Sequence, residues 1–287
     1  IEKEDLVFLN GEAMHSQTVF FKRIFSFLNT IRSNLPCDLS FCVDSYSNIP
    51  IGSGLASSAC GFAALSLAIN NLFGWNLKLS TLSQIARIGS GSATRSCAHG
   101  FVLWEKGERP DGLDSYASVF APSWSDLRLG ILTVSLKEKE ISSSDAMEKT
   151  RNFNNHLYRQ WPIQAKKDLE DLKKAILDHD FETLGQVSEN NANAMHTMIQ
   201  SIGIHYDLKE TTYLREKIKA LRGSGLPIYY TQDAGPNLVC LFLKESKDDV
   251  VKVFNQHITI IDPNDHWSSC DDFSAFSKSV KSFGKGL

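Results

Sequence analysis

The chain has 287 residues, 42% of them hydrophobic, with 30 Lys and Arg against 33 Asp and Glu for a formal net charge of −3. That is enough apolar material for one large or two ordinary domains, and too little positive charge for a nucleic acid to be the main partner. No apolar run reaches the roughly 20 residues that cross a bilayer, and the charged opening through Glu2, Lys3, Glu4 and Asp5 does not read as a secretory signal. The six cysteines, Cys37, Cys42, Cys60, Cys97, Cys240 and Cys270, form no Cys-x-x-Cys pair and have no His cluster beside them, which argues against zinc. Cys60 and Cys240 lie in apolar surroundings and read as core thiols, and a reducing cytoplasm is the compartment that fits.

Taken in chain order, residues 7–10 are a short apolar stretch ending at the Asn10-Gly11 turn signal. Residues 19–35 place Phe20, Ile24, Phe27, Leu28 and Ile31 at helical spacing. Residues 39–43 alternate like a strand, and 44–54 form a loop rich in Ser, Asn, Pro and Gly. An Ala-rich helix over 57–73 and a second over 81–87 follow, then a small, polar segment, 89–96. Residues 101–105 read as a strand and 106–114 as a turn region. The boundary between two domains falls at 122–126, giving 1–126 and 127–287. Beyond it the pattern predicts a strand over 127–136, helices over 145–156, 163–178, 181–199 and 211–221, strands over 228–231 and 238–243, a helix over 248–254 and a last strand over 258–261. Alternating strands and helices in both halves predict α/β or α+β layering.

Three segments carry chemistry. The first, Pro50-Ile51-Gly52-Ser53-Gly54-Leu55-Ala56-Ser57-Ser58-Ala59, joins a strand to a helix. Glycines let backbone approach a ligand, and the helix that follows offers unpaired N–H groups to an anion. Ser57 and Ser58 add hydroxyls suited to phosphate oxygens or Mg²⁺. It is not a Walker A loop, because no Gly-Lys-Ser or Gly-Lys-Thr is present, and it lacks the third glycine of the dinucleotide fingerprint. The alternative is an ordinary capped helix after a flexible turn.

In the second, Gly89-Ser90-Gly91-Ser92-Ala93-Thr94-Arg95-Ser96, small residues let two chain segments approach, and Ser90 and Ser92 can point the same way. Arg95 can grip a carboxylate or phosphate with two parallel bonds; taken alone, the segment also reads as a polar linker with a surface Arg. In the third, Gln232-Asp233-Ala234-Gly235-Pro236-Asn237 turns tightly between two apolar strands. Asp is common in such turns for local reasons, and it can equally be a carboxylate held at a strand end facing a cleft.

The words Gly54-Leu55-Ala56-Ser57-Ser58-Ala59, then Gly89 to Ser96 with Gly100-Phe101-Val102, Trp104-Glu105, Asp111-Gly112 and Asp114-Ser115, then Asp233-Ala234-Gly235-Pro236-Asn237, closely resemble the mevalonate diphosphate decarboxylases. That family is a branch of the galactokinase, homoserine kinase, mevalonate kinase and phosphomevalonate kinase (GHMP) superfamily. The resemblance implies a two-domain fold, α/β plus α+β, with a ribosomal-S5-like N-terminal half, a ferredoxin-like C-terminal half and the active site in the cleft between them.

The resemblance also implies ATP and Mg²⁺ as cofactors, mevalonate 5-diphosphate as the small anionic substrate, a homodimer, and neither nucleic acid nor membrane as partner. ATP phosphates would lie on Gly52, Gly54, Leu55, Ala56, Ser57 and Ser58, with the metal ligands unassigned. Ser90, Gly91, Ser92, Ala93, Thr94, Arg95, Ser143, Ser144 and Asp233 would face the substrate, with Asp233, Arg95 and Ser58 catalytic.

Some bacterial members have Arg where Ser144 stands, and Asn193 and His196 fall in a further family-like stretch. His196 on its own reads as a packed or surface residue. Members usually open with a segment of roughly fifty residues carrying Asn-Ile-Ala-x-x-Lys-Tyr-Trp-Gly-Lys. This sequence starts near their Leu-Asn-Gly turn, here Leu9-Asn10-Gly11, so the family's first strands are expected to be missing from it. The helix after that turn often carries a substrate-directed Arg, and Lys22 and Arg23 are out of step with it. A mevalonate kinase-like or phosphomevalonate decarboxylase activity, or a metabolite-binding homologue without catalysis, are the alternatives.

Overall fold

The computed structural model describes residues 4–35, 39–47, 57–121, 123–137, 139–255 and 258–261. Pro50 to Ala56, and so the predicted phosphate-loop residues Gly52, Gly54, Leu55 and Ala56, lie outside the described residues, as do Cys37 and Cys270.

Strand β1 (Leu6–Leu9) turns at Asn10-Gly11, both at positive φ, into β2 (Glu12–Ala13). Helix α1 (Val19–Arg32) then crosses to β3 (Cys42–Ser45), which pairs in parallel with β1 from Leu6↔Cys42 to Leu9↔Ser45. A parallel pair needs such a crossover. The helix starts where Thr18 accepts the Phe21 N–H, and it buries Ile24, Phe27, Leu28 and Ile31 along one stripe, the spacing that the sequence displayed. Arg32 at its end binds both carboxylate oxygens of buried Asp5 at 2.7 and 2.6 Å, and Asp5 also accepts the Phe41 N–H, tying the helix to the strand edges.

Helices α2 (Ser57–Leu72) and α3 (Leu79–Gly89) complete this layer. Ala59, Phe62, Ala63, Ser66 and Ile69 form the buried stripe of α2. Cys60, one residue on from Ala59 and so about 100° round the helix, is exposed. The expectation of a core thiol fails there because apolar neighbours in sequence are not neighbours on one helix face. Cys240, in a sheet buried on both sides, is fully buried as expected.

Residues 89–96 fold as the end of α3 followed by a 3-10 helix over Gly91–Cys97. The glycines are there for close approach. A Cβ on Gly89 would lie 2.0 Å from a Phe62 ring carbon, and one on Gly91 would lie 3.0 Å from Trp104. Phe62 is itself wedged edge-on against Phe27 at 5.4 Å and cannot swing freely. Gly89→Ala is expected to destabilise the protein by about 1–3 kcal/mol through overpacking, read as a lower urea midpoint at unchanged slope.

Strands β4 (Phe101–Trp104) and β5 (Ala117–Ala121) make an antiparallel pair, and β5 was not anticipated. The loop between them is organised by Asp114, whose carboxylate accepts the Glu108 and Arg109 N–H groups.

The C-terminal half is built on an antiparallel sheet of order β7-β8-β6-β9, from β6 (Leu127–Leu132), β7 (Ile228–Thr231), β8 (Leu238–Leu243) and β9 (Ile258–Ile261). Side chains alternate across it. Leu132, Ile228, Tyr230, Cys240 and Phe242 meet α7 (Lys209–Gly223) and α8 (Lys247–Phe254) on one face. Leu127, Tyr229 and Leu241 meet α5 (Asn155–Asp178) and α6 (Phe181–Gln200) on the other. A sheet covered on both faces by helices is the mixed layering that the sequence predicts.

Two helix boundaries differ from expectation. A helix α4 (Ser143–Phe153) stops at Asn154, whose side chain accepts the Leu157 N–H at 3.4 Å and so starts α5. The helix expected from residue 163 starts earlier, at Asn155, and so carries Pro162 inside it. Leu157, Tyr158 and Trp161 around it pack against the cluster of Ala146, Met198 and Ile199, and that burial outweighs the missing N–H. No described helix is long and apolar enough to cross a membrane.

Candidate active site

Ser58 sits in the first turn of α2, half-buried, with its hydroxyl 3.2 Å from that of Ser90, which in turn lies 3.3 Å from the Ser92 hydroxyl. The three hydroxyls therefore form one row. Ser90 is extended, at φ −158° and ψ 130°, because it links the end of α3 to the 3-10 helix, and this conformation aims its side chain at α2. Arg23 of α1, out of step in the sequence, hydrogen-bonds the Gly89 carbonyl at 3.1 Å, one residue from Ser90. Ala93 and Thr94, expected to face substrate, have fully buried side chains, and the Thr94 hydroxyl donates to the Gly91 carbonyl at 2.6 Å. They shape the 3-10 turn, and the hydroxyls and Arg95 are what the turn presents.

Arg95 extends from that turn over the face of Trp104, with 5.7 Å between guanidinium carbon and ring centroid. Trp104 is fixed by its indole N–H to Ser115 at 3.0 Å. The Arg95 side chain keeps contact with solvent, yet desolvation lowers its pKa from the ordinary Arg value, and the charge of Asp233 acts in the opposite sense. The same interaction places Arg95 and Asp233, from different halves of the chain, in one electrostatic neighbourhood.

Asp233 is exposed, while Gln232, Ala234, Gly235, Pro236 and Asn237 around it are buried. One carboxylate oxygen accepts the Ala234 N–H at 2.8 Å, which sets its direction. Asn237 anchors the far end of the turn through the Val134 and Ser135 N–H groups at 2.7 and 3.0 Å.

Lys139 was not singled out in the sequence. Its Nζ donates to the Ala234 carbonyl at 2.6 Å and to Ser143 at 2.8 Å, and it lies 5.5 Å from the Tyr206 ring centroid. Desolvation lowers its pKa and the charge of Asp233 raises it, so this cation lies in the electrostatic neighbourhood of Asp233, as Arg95 does. In sequence it stands in a run of alternating Lys and Glu that reads as a solvated turn, so only tertiary contact distinguishes it. Ser143 joins the site through Lys139, and Ser144 is exposed on the same first turn of α4.

His196 is 3% exposed, with Nε2 at 3.1 Å from the Asp233 carbonyl oxygen and Nδ1 at 3.7 Å from Asp207. Burial lowers its pKa first of all. Asp207 and the bond to Asp233 raise it, and Arg215 lowers it. Below the ordinary His value of about 6.5 the unfolded chain binds a proton that the folded one refuses, so stability falls as pH falls. The urea midpoint is expected to drop more between pH 7 and pH 5.5 in the parent protein than in His196→Gln, where the carboxylates are common to both.

The model for the Diphosphomevalonate decarboxylase-like N-terminal domain matches residues 2–117, and that for the Mevalonate 5-diphosphate decarboxylase C-terminal domain matches residues 129–282. The chain belongs to the diphosphomevalonate decarboxylase family. The decarboxylase of Candida albicans is 33% identical over 267 residues, 89% of this chain and 74% of its own. The mevalonate diphosphate decarboxylase of Enterococcus faecalis superposes with a TM-score of 0.80 at 32% identity, covering 90% of this chain and 79% of that one. MDDEF in complex with MVAPP, AMPPCP and magnesium gives the same TM-score, 0.80, at 32% identity, with 90% and 80% covered. The GHMP-type fold expected from the decarboxylase motifs is therefore the fold of this chain.

Proposed function

We propose that this chain catalyses the ATP-dependent decarboxylation of (R)-mevalonate 5-diphosphate to isopentenyl diphosphate, ADP, phosphate and CO₂, in the cleft between residues 1–126 and 127–287. The observation that carries the reading is the meeting of an exposed, oriented carboxylate, Asp233, with two partly desolvated cations, Arg95 and Lys139, that each feel its charge. Family membership and the MVAPP, AMPPCP and magnesium bound by a relative support it.

Phosphoryl transfer is mostly positioning and charge stabilisation. Asp233 orients the C3 hydroxyl and takes its proton as the hydroxyl oxygen bonds to the γ-phosphorus and the bond to ADP breaks. Ser58, in line with Ser90 and Ser92, holds phosphate or hydroxyl oxygen. The C3–O bond then breaks, phosphate leaves, and the electrons of the C1–C2 bond become the new double bond as CO₂ departs. Arg95 holds the C1 carboxylate through this step. Its grip must not outlast the charge, because equal stabilisation of ground and transition states gains no rate.

Hard oxygen donors at the start of α2 fit Mg²⁺, which prefers phosphate and water oxygens to a dedicated protein cage. Ser57 and Ser58 would hold it beside the phosphates, where it neutralises charge. In this reading the enzyme works in the cytoplasm, as the four free thiols among the described residues suggest, and as a homodimer.

The test incubates the full-length protein and Mg-ATP with mevalonate, its 5-phosphate or its 5-diphosphate, following ADP and CO₂. Equal ADP and CO₂ from the diphosphate alone is the expected result. ADP without CO₂ would make the protein a kinase, and no ADP from any of them would leave only binding.

A further inference from the structure

Four consecutive carbonyls in the Asp233 turn each accept a side-chain donor. Asp233 accepts from His196 Nε2 at 3.1 Å, Ala234 from Lys139 at 2.6 Å, Gly235 from Gln232 at 2.7 Å and Pro236 from Thr211 at 2.8 Å. A turn with no secondary-structure ladder of its own is thereby held from α6, from the segment before α4, from Gln232 at its own start and from α7.

Behind His196 lies a second tier. Asp207 accepts from Arg215 at 2.8 Å and from the Gln232 side-chain amide at 2.9 Å, and Arg215 also donates through Nε to the Gln232 side-chain oxygen Oε1 at 3.1 Å. The ring of Tyr206 stands edge-on to the His196 ring at 6.2 Å. Asp207, Arg215, Asp233 and Tyr206 are the ionisable groups that face the imidazole from the elements packed on it.

We propose that His196 is a positioning residue for the reaction: as the neutral Nε2–H tautomer it donates to the Asp233 peptide carbonyl and, with the Asp207–Arg215–Gln232 bracket, fixes the direction of the Asp233 carboxylate. A carbonyl can only accept, so the proton sits on Nε2. Nδ1, 3.7 Å from an Asp207 oxygen already engaged by Arg215 and Gln232, is outside hydrogen-bond range and carries none. The peptide that His196 holds is the one bearing the Asp233 side chain, so a shift there moves the carboxylate directly. The inference rests on the reading of Asp233 as the group that faces the substrate hydroxyl.

The experiment compares the parent full-length enzyme with His196→Leu and His196→Gln, since a Gln amide can reach the position of Nε2 and Leu cannot donate. His196→Leu is expected to lower kcat about a hundredfold, the scale of a small misplacement of a catalytic group. KM for both substrates should stay within about threefold, and His196→Gln should recover kcat to within about threefold of the parent. Equal kcat in the two variants, whether high or low, would overturn the proposal.

Nitrogen-15 NMR of histidine-labelled parent protein tests the geometry without a foldable Leu variant, with His196→Gln giving the assignment. A proton on Nε2 alone at pH 7 supports the proposal, and a proton on Nδ1 overturns it. A parent enzyme that releases no CO₂ refutes the decarboxylase reading itself, while the NMR result still decides whether His196 donates to the loop.

Discussion

Asp233→Asn is expected to lower CO₂ and ADP release together by about 10²–10⁴-fold, the range of a lost general base, with substrate KM nearly unchanged. The amide can keep the short-range contact, because its oxygen can still accept the Ala234 N–H that the carboxylate accepts at 2.8 Å. What it loses is the charge and the ability to take a proton. Asp233 is exposed, so the replacement leaves no orphaned buried group and stability should move by no more than about 0.5 kcal/mol. Steady-state assays with a urea melt separate the two effects. Turnover within about twofold of the parent would remove Asp233 from the proton-transfer role.

Arg95→Lys is the second large effect, expected at about 2 kcal/mol in kcat/KM, or about thirtyfold. The lysine keeps a positive charge near Asp233 but cannot present two parallel N–H groups to a carboxylate, nor lie flat against Trp104 as the guanidinium does at 5.7 Å. In the proposed mechanism the carboxylate is held through the step in which it is lost, so both kcat and KM should suffer, in contrast to the pure kcat loss of Asp233→Asn. An unchanged kcat/KM would mean that a point charge suffices there. Lys139 would then be the better candidate for the carboxylate's partner, since it too feels the charge of Asp233 and carries only an ammonium.

Much of the fold was legible because local patterns coincide with the tertiary outcome. The helix of α1 follows from Ile24, Phe27, Leu28 and Ile31 on one stripe, all buried. The strand pair around the Asp233 turn follows from two apolar runs around Gly235 and Pro236. β5 was not legible, since Ala117-Ser118-Val119-Phe120-Ala121 is short and weakly patterned and becomes a strand only by pairing with β4. The expected helix start at residue 163 and the expected core thiol at Cys60 failed for a shared reason. Local pattern suggested a later helix start and a buried thiol, and the packing of the whole helix decided otherwise.

By itself the sequence determined which residue types could do the chemistry: serines at a helix start, an arginine in a segment of small residues, and an aspartate in a tight turn, in the order that marks the family. The tertiary structure alone decided which of them meet. It brought together Ser58, Ser90 and Ser92, buried Ala93 and Thr94, drew Lys139 out of a charge run onto the Ala234 carbonyl, and set His196 against the Asp233 peptide. The physical reason is range. Propensity, capping and side-chain period act over a few residues, whereas a shared electrostatic neighbourhood and a carbonyl held from another helix depend on contacts between residues far apart in the chain.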